Sequence, residues 1–452
     1  MSETIAEILK AYRSGAATPA DIVARSYARI RAHDDPAMFI TLREEKDVAS
    51  DALAQARSGD TSLPLYGIPI AVKDNIDVAG MPTTAACPAF AYRAEADATV
   101  VARLRAAGAL ILGKLNLDQF ATGLVGTRSP YGTPRNLFDA KLIPGGSSSG
   151  SGVAVGAGIA PLTLGTDTAG SGRVPAAFNN IVGLKPSVGL VSTCGVVPAC
   201  RSLDCVTAFT LTVDDAMTAL NVMAGFDDAD PYSRPRRVGP VVPPPQPMRL
   251  GVPGAPQRQF FGDKVAAAAY DAALAKLAAL GGKLVEVDFE PFYETARLLY
   301  DGPWVAERYV VAKRVLAKSP EAILPVTRQI IEAGRDLRTV DAFTAFYRLE
   351  ELRRMRDRVF TAIDALVVPT APATYTVAEV LAEPVELNNR LGTYTNFVNL
   401  LDLCGLAVPA SIGSNGLPFG ITLLAPGGED AKLVAFGRQF EAATGLPRGA
   451  LK

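Results

Sequence analysis

Hydrophobic and polar positions follow two rhythms along the first 120 residues. Over 2–32 the apolar residues recur every three or four positions, which predicts two amphipathic helices. The second starts at Thr18, whose hydroxyl suits an N-cap, with Pro19 in the first turn. In 65–80, LYGIPIAVKDNIDVAG, Ile68, Ile70 and Val72 alternate ahead of Lys73 and a polar turn, which predicts a strand. Residues 97–117 read as a helix, a glycine break and a short buried strand. Such helix-to-strand alternation implies an α/β sheet whose strands are covered on both faces.

Farther along, 152–164 predicts a buried helix of small residues entering PLTLGTD, and NIVGLKPS predicts an apolar strand with a turn. The stretch RRVGPVVPPPQPM (236–248) is the linker candidate, because its prolines and glycine resist both helix and sheet. RLGVPG predicts a new strand, 263–282 a helix rich in alanine and leucine, and 290–362 a largely helical segment. DALVVPTAP and LPFGITLLAP predict further buried strands. No internal repeat is visible.

Composition narrows the classes. A chain of 452 residues can bury a large core and by length alone can hold two or three domains. Lys and Arg together number 45 against 46 Asp and Glu, so the basic excess of a nucleic-acid binder is missing. No apolar run reaches the length of a membrane span, and MSETIAEILKAYRSG lacks a signal-peptide layout, so a cytoplasmic protein is expected. Cys87, Cys194, Cys200, Cys205 and Cys404 have spacings of neither a zinc site nor a redox pair and are expected to be free thiols. The single histidine, His33, lies in the polar turn RAHDDPAM and reads as a solvated surface residue. A histidine-rich metal site is excluded, and a Ser-His-Asp hydrolase would have to use that one residue. Neither a metal nor a cofactor is expected.

The candidate chemistry lies in two Ser/Gly clusters, GGSSSGSG (145–152) and GTDTAGSGRVPAAF (165–178). Between them runs VAVGAGIAPLTL, and a flexible linker has no reason to carry such an apolar run. Neither cluster has the GK[ST] ending or the GxGxxG spacing of a phosphate cradle. A serine attacking a carbonyl needs its proton removed and needs donors for the developing oxyanion. A glycine-rich turn supplies those donors as successive backbone N–H groups. The base can be a lysine, because burial disfavours its charge. Lys73, after IPIAV, fits that role; its alternative is a surface lysine at a strand end.

Together GIPIAVKDNIDVAGMPTT, PGGSSSGSGVAVGAG and GTDTAGSGRVPAAFNNIVGLKPS resemble the amidase signature family. The resemblance runs from near Tyr66 to YTNFVNLLDLCGLAVPA and NGLPFGITLL. It implies an α/β amidase-signature fold over 1–452, a central mixed twisted β-sheet covered by helices on both faces. Within it the motif core is expected over 60–215, the Pro-rich linker at 236–248, a helical substrate-side segment over 290–362, and completion of the sheet by 363–430. The resemblance also implies a Ser–Ser–Lys triad: Ser171 as nucleophile, Ser147 as a bridging serine with a cis peptide bond, and Lys73 as base. Twenty-four residues separate the two serines, in agreement with the family's spacing. The N–H groups of Thr168, Ala169, Gly170 and Ser171 are implied as the oxyanion hole, and Gly123 as substrate-binding. Ala169 departs from the glycine often found there. Asp167 and Arg173 flank the turn and are expected to fix its shape as an ion pair.

Within the family, GTDTAGSGRVPAAFNNIVGLKP, VPACRSLDCVTAFTLTVDDA and LLYDGPWVAERY resemble the allophanate hydrolases. There a Tyr and an Arg eight residues apart hold the substrate carboxylate, corresponding to Tyr300 and Arg308. Asp301, Gly302 and Pro303 predict a helix start, with Tyr300 just before it and Arg308 in its second turn. A guanidinium forks onto a small carboxylate and a phenol adds one directed bond; the alternative is an exposed Arg308 paired with Glu307. The resemblance implies hydrolysis of allophanate, a urea carrying a carboxylate on one nitrogen, in urea degradation and nitrogen metabolism. It further implies a homodimer and a functional link to urea carboxylase, with no nucleic acid and no membrane. Longer members carry a C-terminal domain tied to the later decarboxylation, whereas this sequence stops at GLPRGALK. The rival readings are a general amidase, the amidase subunit of a tRNA-dependent amidotransferase, and a non-catalytic binding subunit that keeps the fold. The balanced charge disfavours the tRNA-linked reading, and the intact Lys73, Ser147 and Ser171 disfavour the last.

Overall fold

Strands from both ends of the chain meet in one large sheet in the computed structural model, which describes residues 3–450. In chain order the strands are β1 Phe39–Leu42, β2 Pro69–Lys73, β3 Pro82–Thr83, β4 Tyr92–Arg93, β5 Leu110–Leu115, β6 Leu162–Asp167 and β7 Val182–Lys185. They continue with β8 Cys205–Thr210, β9 Met248–Pro253, β10 Gly282–Val287, β11 Ala365–Pro369, β12 Leu403–Ile412 and β13 Pro418–Pro426. Eleven of them pair in the order β1-β5-β2-β6-β8-β7-β12-β13-β11-β9-β10, while β3 and β4 form a separate small ribbon. β2 runs parallel to both β5 and β6, and β9 runs parallel to β10 and β11. The other pairings, β6 with β8 and β12 with β13 among them, are antiparallel, so the sheet is mixed.

Continuous apolar runs mark strands covered on both faces, and β2, β5, β6, β7 and β8 are buried at every position. Successive residues serve opposite layers. Ile70 and Val72 pack with Leu104, Leu220 and Phe440, whereas Ala71 packs with Val153 and Ala154. Leu366 and Val368 face a third cluster around Phe289, Phe292 and Phe397.

The N-terminal helices are Ile5–Ser14 and Pro19–His33, opened by capping boxes at Thr4 with Glu7 and Thr18 with Asp21. His33 closes the second, with its imidazole 3.6 Å from Asp35 and a side chain only 18% exposed. It is therefore a shielded helix-end residue rather than the solvated one expected. The helix expected at 152–164 lies at Ser149–Gly156 instead, starting inside the serine cluster. Gly158, at φ 67°, and Pro161 then end it, and 162–167 form β6.

The proline-rich stretch holds neither helix nor strand before β9 and contains a cis Gln246–Pro247 bond. Arg236 within it is tied to Asp402 at 2.6 Å, and the strands on either side of it share the sheet. Residues 290–362 form the helices Glu290–Asp301, Val305–Lys318, Pro325–Glu332 and Thr339–Ala362. The DGP tripeptide is thus not a helix start preceded by loop: Asp301 ends the first helix, and Gly302 and Pro303 lie in the break before the second. Tyr300 lies in the last turn of the first helix, and Arg308 stands in the first turn of the second rather than its second turn. All five cysteines are free. Among the described residues, no helix is long and apolar enough to cross a membrane, and no group of three or more His, Cys, Asp or Glu is placed to hold a metal.

Candidate active site

Lys73 ends β2, between β5 and β6, and is fully buried. Its Nζ donates to Ser147 Oγ and to Thr166 Oγ1, each at 2.7 Å. Among the described residues no carboxylate lies within ion-pair distance of it. Burial pushes its ammonium down to about 7, and the fields of Asp118, Asp204 and Asp167 pull back only in part. At neutral pH a large fraction is the free amine that a base must be. Thr166 also accepts a 3.4 Å bond from Asn75 Nδ2, which is itself held by Val197 O at 3.1 Å.

Ser147 follows Gly146 through a cis peptide bond. Glycine is required at 146, because a Cβ there would stand 2.1 Å from Asp118 Oδ2. The Ser147 carbonyl accepts from the Asp118 amide at 3.0 Å. The neighbouring hydroxyls have other duties. Ser148 Oγ donates to Thr166 O at 3.2 Å, Ser151 Oγ donates to Leu164 O at 2.9 Å, and Thr163 returns a 3.0 Å bond to Ser151 O. These bonds fasten the helix Ser149–Gly156 to β6 and so fix Ser147 beside Lys73.

The turn after β6 is organised by Asp167. Its carboxylate accepts from the amides of Gly170 (2.9 Å) and Gly172 (3.0 Å), and from Arg173 Nε (2.9 Å) and Nη2 (3.0 Å). Both partners are fully buried, as an ion pair shaping the turn requires. Burial pushes the Asp167 carboxyl up, but Arg173 prevails and holds it below the ordinary range. Because the Gly170 N–H is committed to Asp167, the implied four-donor oxyanion hole is reduced. The amides of Thr168, Ala169 and Ser171 have no protein acceptor among the described residues. Gly170, at φ 127°, packs so closely on Thr395 that a Cβ would lie 2.4 Å from its Oγ1. Ala169 keeps a negative φ, so its methyl is accommodated.

Ser171 is almost completely buried, and its Oγ donates to Gly123 O at 3.5 Å. Lys73 and Ser147 are thus joined, while Ser171 is directed to Gly123. No hydrogen bond links Ser147 to Ser171 among the described residues.

Arg308 is 2% exposed. Its Nη1 donates to Thr122 Oγ1 (2.9 Å) and Ala121 O (3.3 Å), its Nη2 to Tyr300 OH (3.3 Å), and its Nε has no partner. Its guanidinium carbon stands 5.2 Å from the centre of the Tyr300 ring. Glu307 is not its counter-ion, since that carboxylate accepts from the Ser202 amide at 2.9 Å and from the Ser202 hydroxyl. Tyr300 also lines a cavity of about 180 Å³ together with Gln259, Tyr293, Asn389 and Asn396.

The amidase family model matches residues 21–434. The chain belongs to the amidase family. A urea amidolyase of Lachancea kluyveri is 47% identical over 413 residues, which cover 90% of this chain and 22% of that protein. The chain therefore spans about a fifth of that relative's length. Kluyveromyces lactis allophanate hydrolase superposes with a TM-score of 0.92 at 44% identity, covering 98% of this chain and 73% of the other. A glutamyl-tRNA(Gln) amidotransferase subunit from Symbiobacterium thermophilum is 36% identical over 97% of this chain and 96% of its own length.

In this amidase the sequence motifs point to Lys73, Ser147, Ser171, Tyr300, Arg308 and Gly123 but miss several residues that hold them. Thr166 is the second acceptor for Lys73. Asp118 receives the amides of Gly126 (3.0 Å) and Arg128 (2.9 Å) and so folds the loop that presents Gly123. The signal for Asp118 is a run, NLDQFATGLVGTR, that carries polar groups with neither helical nor strand periodicity. The structure buries that run almost throughout.

Proposed function

We propose that this amidase hydrolyses allophanate at its terminal amide. Neutral Lys73 takes the Ser147 proton, Ser147 takes that of Ser171, and Ser171 Oγ attacks the terminal amide carbon. The amides of Thr168, Ala169 and Ser171 receive the oxyanion. The relay returns a proton to the leaving nitrogen, ammonia departs, and water releases the acyl group by the reverse route. The product is a dicarboxylated amine that loses carbon dioxide. The observation that carries this reading is the buried, carboxylate-free Arg308 beside Tyr300. A charge taken out of water without a counter-ion is costly, and a substrate carboxylate supplies what the fold withholds. The likeness to a urea amidolyase and an allophanate hydrolase supports the same substrate. A cytoplasmic homodimer working with a urea carboxylase belongs to the same proposal.

The second reading, a general amidase or an amidotransferase subunit, is favoured by the likeness to the amidotransferase relative of similar length. Arg308→Ala separates the two. Truncating one partner of a buried charge-assisted bond costs roughly 2–5 kcal/mol. The variant should therefore lower kcat/KM for allophanate by at least about ten- to a hundredfold, with little change for biuret, which carries no carboxylate. Equal losses on both substrates would make Arg308 structural and the general-amidase reading the better one.

A further inference from the structure

Arg128 lies in the loop between Gly123 and Ser129, is only 3% exposed, and feels the charge of Arg308. Its Nη1 donates to Thr122 O at 2.9 Å and its Nη2 to Pro384 O at 2.5 Å, while its Nε has no partner. Arg308 holds the hydroxyl of the same Thr122. Two buried guanidiniums therefore grip one residue from its two polar sides. Each spends its η-nitrogens on neutral oxygens, and each keeps an idle ε N–H. Among the described residues, neither has a carboxylate within 4.0 Å.

Asp118 is the acid whose field acts most on Arg128. Its oxygens are nevertheless occupied by the amides of Val125 (3.3 Å), Gly126 (3.0 Å) and Arg128 (2.9 Å), not by the guanidinium. Burial, opposed by Asp118 and reinforced by repulsion from Arg308, holds the Arg128 guanidinium below its ordinary value. Its field also reaches Tyr300. The stem of Arg128 passes under Gly123, whose missing Cβ would lie 3.2 Å from Arg128 Cδ, and the carbonyl of Gly123 accepts from Ser171. Arg128 thus stands behind the short segment that joins the carboxylate-binding side to the nucleophile.

Resting on the proposed allophanate reading, we infer that Arg128 is a second specificity-determining cation: its charge, delivered through Thr122 and Gly123, makes the site prefer a carboxylated amide to a neutral one. Hydrolysis of allophanate turns a substrate with one carboxylate into a product with two. A second buried positive charge beside Arg308 suits that gain of negative charge, which a lone guanidinium already bound to the first carboxylate does not meet.

The test compares Arg128→Met and Arg128→Gln, which remove the charge, with Arg128→Lys, which keeps it. kcat/KM is measured for allophanate and biuret. In a Ser171→Ala background, Kd is measured for malonamate and malonamide, an anionic and a neutral analogue with CH2 in place of the central NH. Glutamine retains a donor for Thr122 O, so it serves if methionine does not fold. The expected result is an allophanate-to-biuret ratio about tenfold lower without the charge, about 1.4 kcal/mol. Malonamate should weaken alike, malonamide should be unchanged, and lysine should recover most of the selectivity. Equal losses on charged and neutral partners, or a lysine variant as unselective as the glutamine one, would overturn the inference. Arg308→Met is measured in parallel. If it leaves the malonamate-to-malonamide ratio unchanged, the allophanate reading itself fails. If Arg308→Met moves that ratio and the Arg128 variants do not, only the second cation is rejected.

Discussion

Lys73 and Lys114 are both fully buried and stand on neighbouring strands, with Lys114 of β5 paired in register with Val72 of β2. Burial lowers the hold of each on its proton, yet the chain treats them in opposite ways. Lys114 faces Asp74 at 3.2 Å and bonds Thr83 Oγ1 and Pro82 O at 2.9 and 3.0 Å. Among the described residues the Lys73 ammonium hydrogen-bonds only the hydroxyls of Ser147 and Thr166. Asp74 directly follows Lys73 in the chain, but it lies in the turn after β2 and its carboxylate goes to Lys114 of the neighbouring strand. In the proposed mechanism the buried lysine from which the fold withholds an anion is the base, while the one given an anion is a structural cation.

The strongest break of this comparison is Lys73→Ala. General-base help is worth about 10²–10⁴ in rate and more in a coupled triad, so kcat should fall by at least that much. The pH profile sharpens it. In the proposed relay the active form of Lys73 is neutral, and burial brings its ordinary value down to about 7. Wild-type kcat/KM should therefore rise about tenfold per pH unit below neutrality and level off above it. A limb that vanished in His33→Ala instead would assign the base to the histidine. The folded Lys73→Ala variant, checked by circular dichroism, should lack that limb in whatever activity it retains.

The contrast between the lysines also explains how far the sequence could be read. Lys73 was legible because its neighbours IPIAV and the two Ser/Gly clusters are local, each carrying its chemistry within about ten residues. The hydroxyl-rich stretch over 147–151 was legible as a cluster, but not the division of labour inside it. Ser147 faces Lys73 while Ser148 and Ser151 fasten β6, and that division depends on the start of a helix placed three residues late by its apolar pattern. The proposed oxyanion donors were legible as a turn, but the loss of the Gly170 amide to Asp167 is a matter of side-chain direction. On the proposed carboxylate side the motif gave Tyr300 and Arg308 but not their setting at the facing ends of two helices. Arg128 was not legible at all. In TRSP it looks like any loop arginine, and only the packing of 121–128 against 308 and 384 shows what surrounds it.

Lys114→Met tests the other member of the pair. Removing one partner of a buried ion pair costs about 3–5 kcal/mol, because the remaining charge is left without compensation. The variant should lose roughly that much stability in urea titration, and its kcat, measured well below the lowered midpoint, should stay within a fewfold of wild type. A loss of kcat comparable with Lys73→Ala at unchanged stability would show that Lys114 takes part in the chemistry, and the division between the two lysines would collapse.

The smallest effect expected is also the most specific. Among the described residues, Thr166 Oγ1 is one of the two oxygens that receive Lys73. An acceptor stabilises an ammonium more than an amine, because the charged donor makes the stronger bond. Thr166→Val keeps the shape of the side chain and deletes that oxygen, so protonated Lys73 should lose more than neutral Lys73. A net hydrogen bond of about 1 kcal/mol corresponds to somewhat under one pH unit. The acid limb of kcat/KM should therefore move to lower pH by roughly half a unit to one unit, while the plateau falls only a fewfold from looser positioning of the amine. A purely structural Thr166 would lower the plateau and leave the limb where it was. A limb displaced to higher pH would mean that the hydroxyl donates to the free amine in the working enzyme, and that Lys73 is held neutral by a bond as well as by burial.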